Sequence, residues 1–168
     1  MIKTASEPGS GALPVFPEVS RSRDFSGRDL RGRIFRKADL SGASFECANL
    51  EGARFIRCHA AEANFRSANC RNLRAEQTNF YGADFRCADL AGAMLLQCVL
   101  ASADLRGAHL RRMTVTLDCN TFEDVRLGRE AVLELAYLFG RARSPLQTEW
   151  RNVIGERELA RLARIFSR

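Results

Sequence analysis

The chain holds two histidines, six cysteines and a recurrent series of Asp and Asn, and these are the side chains that could do chemistry. Histidine beside a carboxylate would support general acid–base work, and paired carboxylates could share it. Clustered Cys and His would hold a metal. The spacing supports none of these. His59 and His109 are 50 residues apart, with no carboxylate at a common offset in the local pattern. No CxxC or Cys/His cluster exists, so the cysteines do not read as metal ligands. Gly-rich phosphate loops of the P-loop or dinucleotide-binding type are also missing. The Asp and Asn residues (Asp24, Asp29, Asp39, Asn49, Asn64, Asn69, Asn79, Asp84, Asp89, Asp104) recur at steps of five. That regularity suits a small acceptor bonding its own turn better than an acid/base pair. The expectation is a protein that is not an enzyme, with no cofactor and no metal.

The elements that carry these residues follow from the same step of five. In the centre the chain reads SGASF, ECANL, EGARF, AEANF, and later YGADF, RCADL, AGAML, ASADL. With the large residue as position i, 19 consecutive units run from Phe25 to Val115. Fifteen carry Phe or Leu at i, and 11 carry Ala at i−2. Neither a helix (period 3.6) nor a flat strand (period 2) holds an apolar residue in register at five. Both apolar positions must therefore point inward, as alternate residues of a short extended segment do. Glycine stands at i+2 seven times, where a tight corner favours a residue without a Cβ. Four such sides close a square, so one coil takes 20 residues and the 19 units make about 4.75 coils.

The sequence here resembles the pentapeptide-repeat proteins, with their A(D/N)LXX motif, over residues 21–116. The resemblance implies a mainly β fold, a right-handed four-sided parallel β-helix. A stack at intervals of 20 then predicts a core ladder of Phe25, Phe45, Phe65, Phe85 and Leu105 on one side. Where Ala75 is small, Leu73 at i−2 replaces the usual Ala and roughly conserves volume. The interior so filled leaves no concave pocket. Cys58 and Cys98, like Cys47 and Cys87, are two coils or about 10 Å apart. That is too far for a disulfide. A reduced, cytoplasmic chain is expected, without a signal-peptide core or a membrane span in the sequence.

Two segments flank the repeats. Residues 1–20 contain the extended run ALPVFPEV, and Val15 and Phe16 are expected to lie across the N-terminal end as a lid. Arg23, Arg28 and Arg33 at i−2 of the first coil require that end to be open to water. Residues 117–168 change to a helical period and form a C-terminal cap or dimerisation module. Leu135, Phe139, Trp150, Leu162 and Phe166 make its apolar stripe. Tyr81, Met94, Leu96 and Val99, apolar at outward positions late in the rod, are the candidate surface for docking that tail or a second copy. The resemblance makes a C-terminal homodimer plausible, and the sequence leaves cap and dimer open.

What remains is surface, and it is basic. Residues 21–116 hold 16 Lys+Arg and 10 Asp+Glu, a net of 16 − 10 = +6, equal to the charge of the whole chain. Arg66, Arg86 and Arg106 fall at i+1, one coil apart, and Arg31, Arg71 and Arg111 do so on the next side. These six are the candidate interaction surface, to be met by an acidic protein; the alternative is a solvated face balanced by Asp84, Asp89 and Asp104 nearby. The reading is a non-catalytic interaction scaffold, regulatory or effector-type. The alternative comes from the resemblance: some family members bind type II topoisomerases such as DNA gyrase, giving drug or toxin protection, as acidic mimics of duplex DNA. This chain has the width and the opposite charge. A further alternative, nucleic-acid binding, has the charge but lacks outward aromatic residues for base stacking.

Overall fold

The computed structural model describes residues 15–16, 23–115 and 124–128. They form a right-handed parallel β-solenoid of about four turns. Within residues 23–115 each paired residue meets the one 20 positions on. On the first face Asp24, Ser44, Asn64, Asp84 and Asp104 are successive partners, and on the second Asp29, Asn49, Asn69, Asp89 and His109. On the fourth face the partners are Asp39, His59, Asn79 and Val99. The third face is a regular sheet. Its strands are β1 (Val15–Phe16), β2 (Ile34–Arg36), β3 (Arg54–Ile56), β4 (Arg74–Glu76), β5 (Met94–Leu96) and β7 (Thr114–Val115). They lie side by side in that order, all parallel.

The interior is the expected stack. Phe25, Phe45, Phe65 and Phe85 lie ring on ring, with centroids 4.9, 4.9 and 4.7 Å apart. Phe35 and Phe55 stack likewise on the third face at 4.8 Å. Across the core the two columns meet edge to face, as Phe45 and Phe55 do at 5.9 Å. Both arrangements suit the ring quadrupole. Alanines at i−2 fill the remaining space, and Leu73 and Ala75 are both buried, in keeping with the expected compensation of volume. Cys58, Cys70 and Cys98 are buried free thiols. Burial pushes the Cys98 thiol up to about 11, and Cys70 is pushed higher still by the same loss of solvation.

The corners explain the polar half of the repeat. All i+2 residues from Gly27 to Arg112 have positive φ, and eleven of them are not glycine, among them Lys37, Arg57, Glu62, Ser67 and Gln77. The corner thus imposes the left-handed conformation on any residue, at a cost that the rest of the coil offsets. On three faces the side chain at i−1 caps the corner by accepting the backbone N–H of i+1. Asn64 Oδ1 accepts from Arg66, Asp84 Oδ1 from Arg86, Asn69 Oδ1 from Arg71 and Asn79 Oδ1 from Tyr81, at 2.9–3.2 Å. The recurrent Asp and Asn are turn caps, as their spacing suggested.

The third corner departs from this plan. The strand runs on through i+1, and the residues at i−1 are Ile34, Arg54, Arg74, Met94 and Thr114, none of which is Asp or Asn. Inward side chains satisfy the carbonyls instead. The Cys58 thiol donates to Phe35 O at 3.4 Å, the Thr78 hydroxyl to Phe55 O at 3.3 Å, and the Cys98 thiol to Leu96 O at 3.4 Å.

Both ends add strands beyond the strict repeat. Val15 and Phe16, expected as a lid over the N-terminal end, lie at that end as its outermost strand. They extend the third sheet, Val15 opposite Ile34 and Phe16 opposite Phe35, because the outer strand offers unpaired backbone groups to any extended segment that reaches it. The open end itself is as expected: Arg23 and Arg28 are exposed. Arg23 donates to Asp39 and to Ser41 O, and Arg28 covers the Phe25 ring at 5.8 Å. Past the last unit, β8 (Arg126–Leu127) adds to β6 (Asp104–Leu105), with Arg126 opposite Asp104. That offset of 126 − 104 = 22 residues ends the strict repeat. The expected helices over 129–168, with Leu135, Phe139, Trp150, Leu162 and Phe166, lie outside the described residues.

Candidate interaction surface

The solenoid core is filled by side chains, and no group of His, Cys, Asp and Glu among the described residues could hold a metal ion. Both histidines are exposed. Contrary to the sequence reading, each does have a carboxylate nearby. Asp39 is the rung partner of His59, and Asp89 of His109, since the stacking offset of 20 brings together residues that the local pattern keeps apart. No hydrogen bond joins either pair among the described residues, and both stand on open faces. Water reaches them freely, which removes the low-dielectric setting that acid–base catalysis uses.

Function therefore rests on the outer surface, and the arginines decide its character. On the first face Arg86 donates through Nε and Nη2 to Asp84, at 2.9 and 2.6 Å, and Arg106 makes the same fork with Asp104. These bonds hold both carboxyls below the usual carboxylate range and raise the guanidinium values. On the second face Arg31 pairs with Asp29 at 2.7 Å and Arg71 with Asp89 at 3.0 Å. Arg66 has Asn64 on its own rung where Arg86 and Arg106 have Asp, and it makes no ion pair among the described residues. Each fork is within a rung or between neighbouring rungs, so the expected like-charge column is largely neutralised along its length.

Besides Arg66, a further group of arginines and a lysine without close carboxylate partners lies on the third face, which the sequence reading did not single out. Arg54 and Arg74 are direct rung partners on the third face, and Arg36, Lys37 and Arg57 flank them at its corner. Among the described residues Arg36, Lys37 and Arg74 make no ion pair. Arg54 has only a 3.9 Å approach to Glu76, and its Nε is buried without a hydrogen-bond partner. Arg57 donates to Gln77, which donates on to Gln97. The signal was present in the sequence: two third-side units have Arg at i−1, Arg54 and Arg74, where most units of the other sides have Asp or Asn.

The apolar candidates lie on two adjoining faces. Met94 and Leu96 lie on the third face in β5, and Tyr81 and Val99 across the adjacent corner on the fourth. Tyr81 and Val99 are 49% and 40% exposed, the large apolar side chains of the described residues that reach furthest into water.

The repeat is also recognised as a whole. The family model described as pentapeptide repeats matches this chain in eight copies, over residues 24–59, 63–100 and 83–114. The chain belongs to the pentapeptide-repeat family. No curated protein matches it significantly. Among solved structures, this pentapeptide-repeat chain is similar to QnrB1, described as a plasmid-mediated fluoroquinolone resistance protein. The identity is 22%, over 72% of this chain and 73% of that one, with a TM-score of 0.41. HetL, described as involved in heterocyst differentiation regulation in the cyanobacterium Nostoc, is 23% identical over 54% of this chain and 65% of its own, with a TM-score of 0.24. A pentapeptide-repeat protein from the cyanobacterium Cyanothece 51142 is 18% identical over 64% and 88%, with a TM-score of 0.23. At these identities and scores the neighbours bear on neither partner nor activity.

Proposed function

We propose that this pentapeptide-repeat protein is a non-catalytic interaction scaffold whose basic solenoid surface meets an acidic protein partner. One observation carries the reading. The interior is solid and the recurrent carboxylates and amides are committed to turns, so a net +6 of charge on residues 21–116 is what the rod has to offer. Apolar surface on Tyr81, Val99, Met94 and Leu96 adds a docking patch for the C-terminal tail or for a second copy. Affinity capture from the host tests the reading. The partner should be acidic, and its retention should fall steeply as salt rises. A partner whose binding ignores salt contradicts it.

Type II topoisomerase modulation is the second reading, supported by the resemblance to the family and the width of the rod; the basic charge and the unbroken register, without the loop insertions of many quinolone-protection members, weigh against it. It would have the chain act as the description of QnrB1 says of that protein. It favours an acidic surface, so the variant Arg66→Glu/Arg86→Glu/Arg106→Glu separates the two. Under the scaffold reading that change weakens partner binding. Under topoisomerase mimicry it improves action on DNA gyrase in a supercoiling assay. Inhibition or drug protection by the wild-type protein at micromolar levels reverses the ranking.

A further inference from the structure

The third face is the one whose i−1 positions are released from turn capping, and this frees them to face a partner. Along the rod axis the i−1 column reads Ile34, Arg54, Arg74, Met94 and the i+1 column Arg36, Ile56, Glu76, Leu96. Two stacked arginines are thus followed, one rung further, by Met94 and Leu96. We propose that this face binds an acidic amphipathic helix of a partner protein laid along the rod, with carboxylates on Arg54 and Arg74 and an apolar side chain on Met94 and Leu96. The inference rests on the scaffold reading and assigns its surface.

The dimensions agree. Neighbouring rungs are about 4.8 Å apart, so Arg54 to Arg74 is one such step and Arg54 to Met94 two, about 9.6 Å. On a helix, residues i and i+3 are about 4.5 Å apart along the axis and i and i+7 about 10.5 Å, all on one stripe. Carboxylates at i and i+3 with an apolar residue at i+7 therefore match both arginines and the Met94 rung. Guanidinium forks suit carboxylates, and Arg74 makes no ion pair among the described residues while Arg54 has only the 3.9 Å approach to Glu76. Nucleic acid fits less well. The two columns hold no aromatic residue for base stacking, and Ile56, Glu76 and Leu96 interrupt the cationic track. The chain's own tail also fits poorly, since residues 129–168 hold eight Arg and five Glu, a net of 8 − 5 = +3.

The test is fluorescence anisotropy with the full chain at low salt. The probes are a labelled Ala-based helical peptide with Glu at i and i+3 and Leu at i+7, its Gln counterpart, and a labelled oligothymidine. The variant Arg54→Gln/Arg74→Gln keeps the backbone bonds of both residues, Arg54 N–H to Arg33 O and Arg74 N–H to Ala53 O, and circular dichroism checks its fold. The Glu peptide should bind at least about tenfold more tightly than the Gln peptide, because two charge-assisted contacts are at stake. That preference should vanish in the double variant and persist in Arg112→Gln, a change at an exposed arginine outside both candidate surfaces. Equal binding of both peptides, loss in Arg112→Gln, or tighter binding of oligothymidine than of the Glu peptide overturns the proposal. Failure of the peptide while a captured acidic partner still depends on Arg66, Arg86 and Arg106 overturns this surface and leaves the scaffold reading standing.

Discussion

Removing one ring from the middle of the phenylalanine stack tests the fold where it is most demanding. Phe65 is fully buried and has four aromatic neighbours. It stacks on Phe45 at 4.9 Å and Phe85 at 4.7 Å, each with 5° between planes, and meets Phe55 and Phe80 edge-on at 6.0 and 5.7 Å. Transfer of the side chain from water is worth about 1.5–3 kcal/mol, and each aromatic pair adds about 0.5–1.5 kcal/mol, not additively. The rungs above and below are fixed by their own hydrogen bonds, so the cavity cannot collapse. Phe65→Ala should therefore cost about 4–5 kcal/mol, the upper part of the range for buried aromatic truncations. Phe25 provides the control. It is only partly buried, with one stacked neighbour and one edge-on neighbour, and Phe25→Ala should cost about 1–2 kcal/mol on the same reasoning. Equilibrium urea unfolding followed by far-UV circular dichroism measures both. Repeat rods can fray from their ends, so midpoints should be compared at equal slopes. A loss below about 1 kcal/mol for Phe65→Ala, or equal losses for the two variants, would refute the continuous stack.

Further outcomes follow from the corners, the forks and the thiols. Gly52→Ala places a Cβ in open space but at φ +65, so it should cost about 1 kcal/mol from conformation alone; a neutral result would mean the corner can relax. Asp84 and Asp104 have carboxyl values held below normal by their arginine forks. Depressed values stabilise the fold above the ordinary Asp value, and that stability is lost as pH falls through and below about 4. Asp84→Asn/Asp104→Asn keeps the turn acceptors and should flatten the acid limb of a stability–pH profile, and an unchanged limb would show that the forks contribute nothing. Cys47 and Cys87 are exposed while Cys58, Cys70 and Cys98 are buried. A maleimide should modify only the first two of these five in the native protein, as peptide mapping would show, and modification of Cys70 without denaturant would contradict the filled core.

Much of this was legible because a strict repeat turns tertiary contacts into arithmetic. The step of five determined which side chains face inward, and the step of 20 determined which rings touch. Phe45 on Phe65 could thus be named from the sequence, as could the turn-capping role of Asn64 or Asp84. Each of these depends only on position within the unit, which local backbone geometry fixes. The tertiary structure decided what the repeat leaves unconstrained. Rotamers of long side chains placed Arg86 on Asp84 and Arg106 on Asp104, choosing between the two readings the sequence left open in favour of the balanced face, because hydrogen-bonded contact at 2.6 Å outweighs repulsion between exposed charges at rung distance. Chain ends were equally beyond the pattern. Val15 and Phe16 joined the sheet edge at the N-terminal end, one residue out of step, and Arg126 paired with Asp104 two residues out of step, since unpaired backbone groups at an edge accept whatever strand arrives. The third corner shows the boundary most clearly. The sequence determined that Arg54 and Arg74 occupy positions where other faces mostly have Asp or Asn, and the step of 20 stacks them with Met94, but only the fold left them without full partners. A strand that runs straight through its corner has no turn N–H for an i−1 side chain to cap.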